Sequence, residues 1–281
     1  MSGASALGTP KCQTIFTKRE QHNMSKLFVV STGPGDSQLV APRAHAAIAA
    51  STDLVAYGLY LQILGDVCDG KTHHDLPLGE EIGRARLALD LAASGKTTAL
   101  ISSGDIGIYA MATLVFELLD MQLQGKESHP EWLDVEIEVI PGISAMQAGA
   151  SRVGALLGHD FCTISLSDLL TPWETILKRI EKAGEGDFVV SFYNPVSKKR
   201  DWQLNKARDI LLQHRPGSTP VLLGRQLTRP DESIRIIRLD ELDAKDVDMF
   251  TLVSVGNSES RHIVNGNKEW VYTPRGYKKK L

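Results

Sequence analysis

The 281-residue chain is 42% hydrophobic and 23% charged, a globular composition with enough apolar mass for two domain cores. No apolar run approaches the roughly 20 residues of a membrane span, and a formal charge of -3 supplies no general attraction for nucleic acid or anionic lipid. Cys12, Cys68 and Cys162, odd in number and without a CxxC pair, point to neither a disulfide framework nor a zinc site and fit a reducing cytoplasm.

Residues 1–25 carry Lys11, Lys18 and Arg19 without the apolar stretch of a secretory leader and read as a disordered tail. From Leu27 a short apolar run predicts a buried strand that ends in the turn Gly33-Pro34-Gly35-Asp36. A helix is expected over Gln38–Ala50 and a strand over Asp53–Tyr57. Gly79–Ser94 sets Ile82, Leu87, Leu89 and Leu91 among charges and closes on Gly95, a helix-terminating glycine. The strand Thr97–Ser102 ends in Ser103-Gly104-Asp105, and the helix Ile106–Leu119 follows with Met111, Leu114, Val115 and Leu118 along one face. The strand Val135–Ile140 ends in Pro141-Gly142-Ile143-Ser144-Ala145, where a helix over Ser144–Val153 begins.

The second half resumes with the strand Phe161–Leu166 and a helix over Trp173–Ala183 that Pro172 opens. Next come the strand Asp187–Tyr193, the basic loop Lys198-Lys199-Arg200, the helix Gln203–Gln213 and the strand Pro220–Gly224. Ser233–Arg238 alternates like a half-exposed antiparallel edge, and Phe250–Val255 is the last strand. Strands alternating with helices predict an α/β fold with largely parallel pairing and right-handed crossovers. A break near Gly154–Asp160 divides it into two α/β domains, 26–153 and 154–281, with a cleft between them.

Three glycine-bearing turns at successive strand ends mark the edge where open α/β sheets bind ligands. Their spacing is neither GxGxxG nor GxxxxGK[ST], and Pro34 removes a donor that a phosphate cradle needs. Close backbone approach at Gly33, Gly35 and Gly104, small residues at Ser103, Ser144 and Ala145, and carboxylates at Asp36 and Asp105 suit a flat, partly cationic molecule, of which S-adenosylmethionine is one. Taken singly, Asp36, Asp105 and Ser144 equally suit helix caps.

The segments Thr32-Gly33-Pro34-Gly35-Asp36, Ser103-Gly104-Asp105 with Ile108-Tyr109-Ala110-Met111, and Val139 to Ala145 resemble the signature of the tetrapyrrole (corrin/porphyrin) methyltransferases. Ser167 to Glu174, Phe192-Tyr193-Asn194-Pro195, Arg229-Pro230-Asp231-Glu232 and Val255-Gly256-Asn257-Ser258 resemble the branch that acts at carbon 17 of precorrin-3B. The resemblance runs over residues 27–277 and departs from the family at Ser31, Ala41 and Ile106. It implies a homodimer of two-domain α/β subunits with S-adenosylmethionine in the cleft. It places cofactor contacts at Pro34, Ser103, Gly104, Asp105, Ile108, Ser144 and Ala145, with Tyr193 or Asn194, Gly256 and Asn257 completing the pocket.

The implied reaction methylates ring carbon 17 of precorrin-3B, or of its cobalt form, cobalt-factor III, with contraction of the macrocycle to precorrin-4 in cobalamin biosynthesis. Ring contraction requires proton transfer, for which Asp36 or Asp105 is the candidate catalytic group. A substrate rich in carboxylates calls for cations, and Gly35, Arg225 and Arg229 are the expected substrate contacts, with Lys198, Lys199 and Arg200 either joining them or forming a solvated loop. His73-His74-Asp75 lacks further ligands at metal-binding spacing, so no protein-held metal is expected. Rival readings keep the fold and change the acceptor, to another precorrin, a diphthamide precursor or ribosomal RNA, or make the chain a non-catalytic S-adenosylmethionine-binding protein.

Overall fold

The structure, a computed structural model, describes residues 25–197, 200–277 and 280. The expected tail up to residue 24 and Lys198-Lys199 lie outside the described residues. The first half runs β1 (Lys26–Ser31), α1 (Pro42–Ala50), β2 (Asp53–Ala56), α2 (Gly58–Leu64), β3 (Thr72–Asp75), α3 (Glu81–Ala93), β4 (Thr97–Ser102), α4 (Met111–Leu123) and β5 (Glu136–Ile140). These strands form one parallel sheet in the order β3-β2-β4-β1-β5. Its central strands are buried on both faces because successive side chains point to opposite sides. Leu27 and Val29 pack with Leu89 of α3 and Val115 of α4, while Phe28 and Val30 pack with Ala44, Ala47 and Ile48 of α1.

The second half runs α5 (Ala145–Val153), β6 (Gly154–Ala155), β7 (Phe161–Ser165), α6 (Trp173–Glu185), β8 (Val189–Tyr193), α7 (Gln203–Leu211), β9 (Pro220–Arg225), β10 (Ser233–Arg238), β11 (Thr251–Val255), β12 (Arg261–Asn265) and β13 (Lys268–Tyr272). Its main sheet has the order β10-β9-β11-β8-β7. Only β7 and β8 pair in parallel there, since β11 inserts between β8 and β9 and runs against both. The expected antiparallel edge is β10. On one face of this sheet Val190, Phe192, Val221 and Val253 meet Ile176 and Ile180 of α6 and Leu204 of α7. On the other, Leu222 and Leu252 meet Ala148, Ala150 and Val153 of α5. The last helix before the expected break at residue 154 thus packs on the second sheet.

Two helices start later than the sequence suggests. Asp36 caps a short 3-10 turn, Ser37–Leu39, so α1 waits until Pro42, a residue suited to a first turn that needs no donor. After β4, the Asp105 carboxylate holds Gly107 N–H and Tyr109 sits at φ 52, outside helical space, so α4 begins at Met111. The strand β3 was missed because Thr-His-His-Asp has no apolar residue, and the β12–β13 hairpin because nearly all of it is exposed.

Candidate active-site cleft

In the parallel first sheet β4, β1 and β5 are neighbours, so the turns that follow them emerge side by side. They are bonded together. Gly33 N–H donates to Gly104 O (3.1 Å) and Gly104 N–H to Gly33 O (2.6 Å), an antiparallel bridge between the first two turns. The third is held by Asp105, whose Oδ2 accepts Gly142 N–H (3.0 Å) while Oδ1 accepts Gly107 N–H (2.8 Å). Ser31 Oγ accepts Ile106 N–H (2.8 Å) beneath them. Glycine is required at position 142, where a Cβ would lie 2.5 Å from Ser31 Cβ and 2.6 Å from Gly104 O.

Above this junction opens a cleft of about 280 Å³. One wall is Pro34, Ser103, Gly104 and Ala145; the other comes from the second sheet and includes Tyr193, Asn194, Leu227, Arg229 and Leu252. The walls are tied across the seam. Tyr109 donates its hydroxyl to Thr163 O (2.9 Å) and its ring lies 5.3 Å from that of Tyr193. Arg229 Nε donates to Pro34 O (3.2 Å), and Asp36 N–H donates to Thr228 Oγ1 (3.0 Å). Tyr193 Oη accepts Met146 N–H (3.2 Å) at the start of α5. Burial is the main influence on the Tyr193 phenol and pushes its pKa up, outweighing the hydrogen bonds from Met146 and Ser144 that pull it down.

Of the expected site residues, Pro34, Ser103, Gly104, Ala145, Tyr193, Asn194 and Arg229 line this cleft. Others stand behind its wall. Asp36 Oδ1 caps Gln38 N–H, Asp105 spends both oxygens on backbone N–H groups, and Ser144 caps α5 in a reciprocal pair with Gln147. Ile108 N–H closes the Asp105 turn by donating to Asp105 O. Gly35 packs against Arg229, whose Cγ would be 2.5 Å from an added Cβ, and Arg225 is paired with Asp248 (2.7 Å).

Gly256 and Asn257 are not brought to the cleft. They follow the C-terminal end of β11, whereas the cleft borders its N-terminal end at Phe250, Thr251 and Leu252. The expectation assumed a strand ending at the cleft, and the antiparallel direction of β11 reverses it. Asn257 instead organises a buried turn, its Oδ1 accepting Ser260 Oγ–H and Glu259 N–H.

Tyr57, Tyr60, Leu78, Met249 and Phe250 also line the cleft and were missed. A signal for the first existed, because the strand Asp53–Tyr57 ends at Tyr57-Gly58 on the same sheet edge as the other turns. Met249 and Phe250 carry none, since only β11's direction takes its leading residues there. His73 and His74 have structural partners, Cys68 O (2.9 Å) and Asp53 (2.8 Å), and Asp75 accepts Gly58 N–H (2.7 Å).

The profile of the Tetrapyrrole (Corrin/Porphyrin) Methylases matches residues 26–243. The chain is 43% identical to a precorrin-3B C(17)-methyltransferase of Sinorhizobium sp, over 89% of this chain and 96% of that protein. It is 42% identical to a probable cobalt-factor III C(17)-methyltransferase of Salmonella typhimurium, over 89% of this chain and 99% of the relative. The crystal structure of the methyltransferase CobJ superposes with a TM-score of 0.80 at 40% identity, covering 88% of this chain and 99% of that one. Uroporphyrin-III C-methyltransferase from Thermus thermophilus, complexed with S-adenosyl homocysteine, shares the fold at a TM-score of 0.59 and 19% identity, covering 82% of this chain and 92% of that one. With the matched profile spanning most of its length, the chain belongs to the tetrapyrrole (corrin/porphyrin) methylase family and is a methyltransferase of that fold.

Proposed function

We propose that this chain transfers a methyl group from S-adenosylmethionine to ring carbon 17 of precorrin-3B, or of cobalt-factor III, with contraction of the macrocycle, as a step of cobalamin biosynthesis. The observation that carries the cofactor site is the convergence of three bonded turns on a wall of small residues facing Tyr193 and Asn194, and the acceptor follows from the likeness to the C(17)-methyltransferases. That wall suits the cofactor. At Gly104, whose φ is 69, an added Cβ would meet no atom within 4 Å, so the backbone there borders open space and can approach a ligand closely. When bound, S-adenosylmethionine supplies the electrophilic methyl group.

The chain's contribution is placement. Pro34, Ser103, Gly104 and Ala145 would hold the donor from the first sheet, with Tyr193, Asn194 and Leu252 closing over it from the second. Fixing donor and acceptor in line is worth roughly 7 to 11 kcal/mol of barrier in intramolecular analogues. Asp36 and Asp105 serve this placement by fixing the turns, each through hydrogen bonds to backbone N–H groups. Arg229, anchored by Nε to Pro34 O, is the cation that the described residues place at the cleft, available to an acidic substituent of the acceptor. Among the described residues no helix is long and apolar enough to cross a membrane. The reading completes the picture with a cytoplasmic homodimer built from an N-terminal domain, 26–153, whose last helix α5 packs on the second sheet, and a C-terminal domain, 154–281.

The test is incubation with methyl-labelled S-adenosylmethionine and either precorrin-3B in air or cobalt-factor III under argon, with mass spectrometry of the product. Label in a ring-contracted tetrapyrrole is the expected result. Label in protein or RNA alone, or no S-adenosylhomocysteine release with either tetrapyrrole, refutes it. Light scattering on the purified chain checks the dimer.

A further inference from the structure

The loop Lys198-Lys199-Arg200 suggests a basic surface, yet Arg200 is only 8% exposed. Its backbone closes a tight bridge with Ser197, with Ser197 N–H donating to Arg200 O (2.7 Å) and Arg200 N–H to Ser197 O (3.1 Å), and its side chain turns into the fold. Nη1 donates to Leu166 O (2.8 Å) and to Asn194 O (2.6 Å), and Nε stands 3.6 Å from the Asp168 carboxylate. One guanidinium therefore joins the ends of the two parallel strands β7 and β8 and the loop leaving β7. The carbonyl it holds on β8 is that of Asn194, a non-glycine residue at φ 52 that lines the cleft directly after Tyr193. Asparagine takes left-handed backbone more readily than most non-glycine residues, and neighbouring contacts hold it there. Here the contacts are Arg200 on its carbonyl and Ser165 Oγ, which accepts its Nδ2–H (3.0 Å).

We infer that Arg200 is a positioning residue for the cofactor cleft: by pinning Asn194 O and Leu166 O it sets the Tyr193-Asn194 wall against the three turns of the first sheet. This rests on the proposal that S-adenosylmethionine occupies that cleft. Arginine is essential here, because a lysine ammonium keeps the charge but ends one bond short of Nη1, which holds both carbonyls, and lacks a second nitrogen to face the Asp168 carboxylate.

The molecule contains its own control. Arg215 does the same kind of work at the other end of the same sheet, with its side chain fully buried and donating to Phe188 O (2.9 Å) and Gly256 O (2.5 Å). Phe188 and Asn194 are six residues apart along β8, about 20 Å at the rise of a strand. Arg215 is thus as structural as Arg200 and remote from the cleft.

The experiment measures the Kd of S-adenosylhomocysteine by calorimetry for the wild type, Arg200→Lys and Arg215→Lys, with each variant's thermal unfolding midpoint recorded without ligand. Arg200→Lys is expected to weaken binding at least tenfold, and Arg215→Lys to change it less than twofold even where it lowers the midpoint as much or more. Equal effects of the two variants, or unchanged binding in Arg200→Lys, overturn the inference. If Arg200→Lys does not fold, Arg200→Gln, which keeps an uncharged donor on the same loop and leaves the cleft-lining side chains untouched, takes its place with the same tenfold criterion. A wild type that fails to bind S-adenosylhomocysteine refutes the cofactor assignment, a separate result from equal variants on a binding wild type.

Discussion

Replacing Asp105 by alanine separates a clamp from a proton carrier. In the native chain its two oxygens accept Gly142 N–H at 3.0 Å and Gly107 N–H at 2.8 Å, the first of which ties the second turn to the third. A hydrogen bond to a charged acceptor contributes about 1.5 to 3 kcal/mol, and partial exposure of this carboxylate lets water take over part of each, so Asp105→Ala should destabilise by about 2 kcal/mol. For a chain of this size that corresponds to a fall of roughly 4 to 8 °C in the unfolding midpoint, readable by calorimetry. Because Gly104 lies beside the released turn, S-adenosylhomocysteine binding should weaken about tenfold, with Asp105→Asn, which retains a carbonyl acceptor, between the two. Turnover at saturating cofactor should then largely recover. If Asp105→Ala kept the midpoint and the Kd of the wild type but abolished turnover, the clamp reading would be wrong and Asp105 would be handling a proton.

Other perturbations test other parts of the same structure. Gly142→Ala forces a methyl group to within 2.5 Å of Ser31 Cβ and 2.6 Å of a backbone oxygen, and should cost about 1 to 3 kcal/mol in urea unfolding; an unchanged midpoint refutes the close approach. Ala145→Trp fills the cleft from the first-sheet wall, so it should abolish S-adenosylhomocysteine binding while leaving the unfolding midpoint within a few degrees, and retained binding would move the cofactor elsewhere. Burial pushes the Asp53 carboxyl up, but hydrogen bonds from His74, Lys96 and Thr52 together outweigh it and hold the pKa at about 2. A depressed carboxyl stabilises the fold above its unfolded pKa of about 3.9 and loses that stabilisation as pH falls through about 2, so this contribution, about 2 kcal/mol, should disappear across that window. Asp53→Asn should remove that part of the acid dependence, and an identical acid profile in the variant would refute the assignment.

The elements that could be read from the chain are those whose burial writes a pattern. Leu27–Val30 is a continuous apolar run and Val189–Phe192 is interrupted only by Ser191 because both faces of their strands are covered, and Ser233–Arg238 alternates because it is an edge. β3 pairs only with β2 and is held by polar side chains, so nothing apolar marks it. The cleft residues of the first half were legible for a related reason. A parallel strand always presents its C-terminal end to the same edge, so turn residues such as Pro34, Ser103, Gly104 and Ala145 follow from strand direction.

Local sequence therefore determined which buried segments are strands and which turns can meet, since both depend on side-chain pattern and on the uniform direction of a parallel sheet, while the polar β3 and the exposed β12–β13 hairpin left no such mark. Tertiary structure decided the rest. The direction of β11 carried Gly256 and Asn257 away from the cleft and brought Met249 and Phe250 to it, and pairing direction is set by partners distant in sequence. Likewise, the inward turn of Arg200 depends on two carbonyls, of Leu166 and Asn194, that only folding brings together, and no property of the Lys-Lys-Arg run itself distinguishes a buried clamp from a solvated charge.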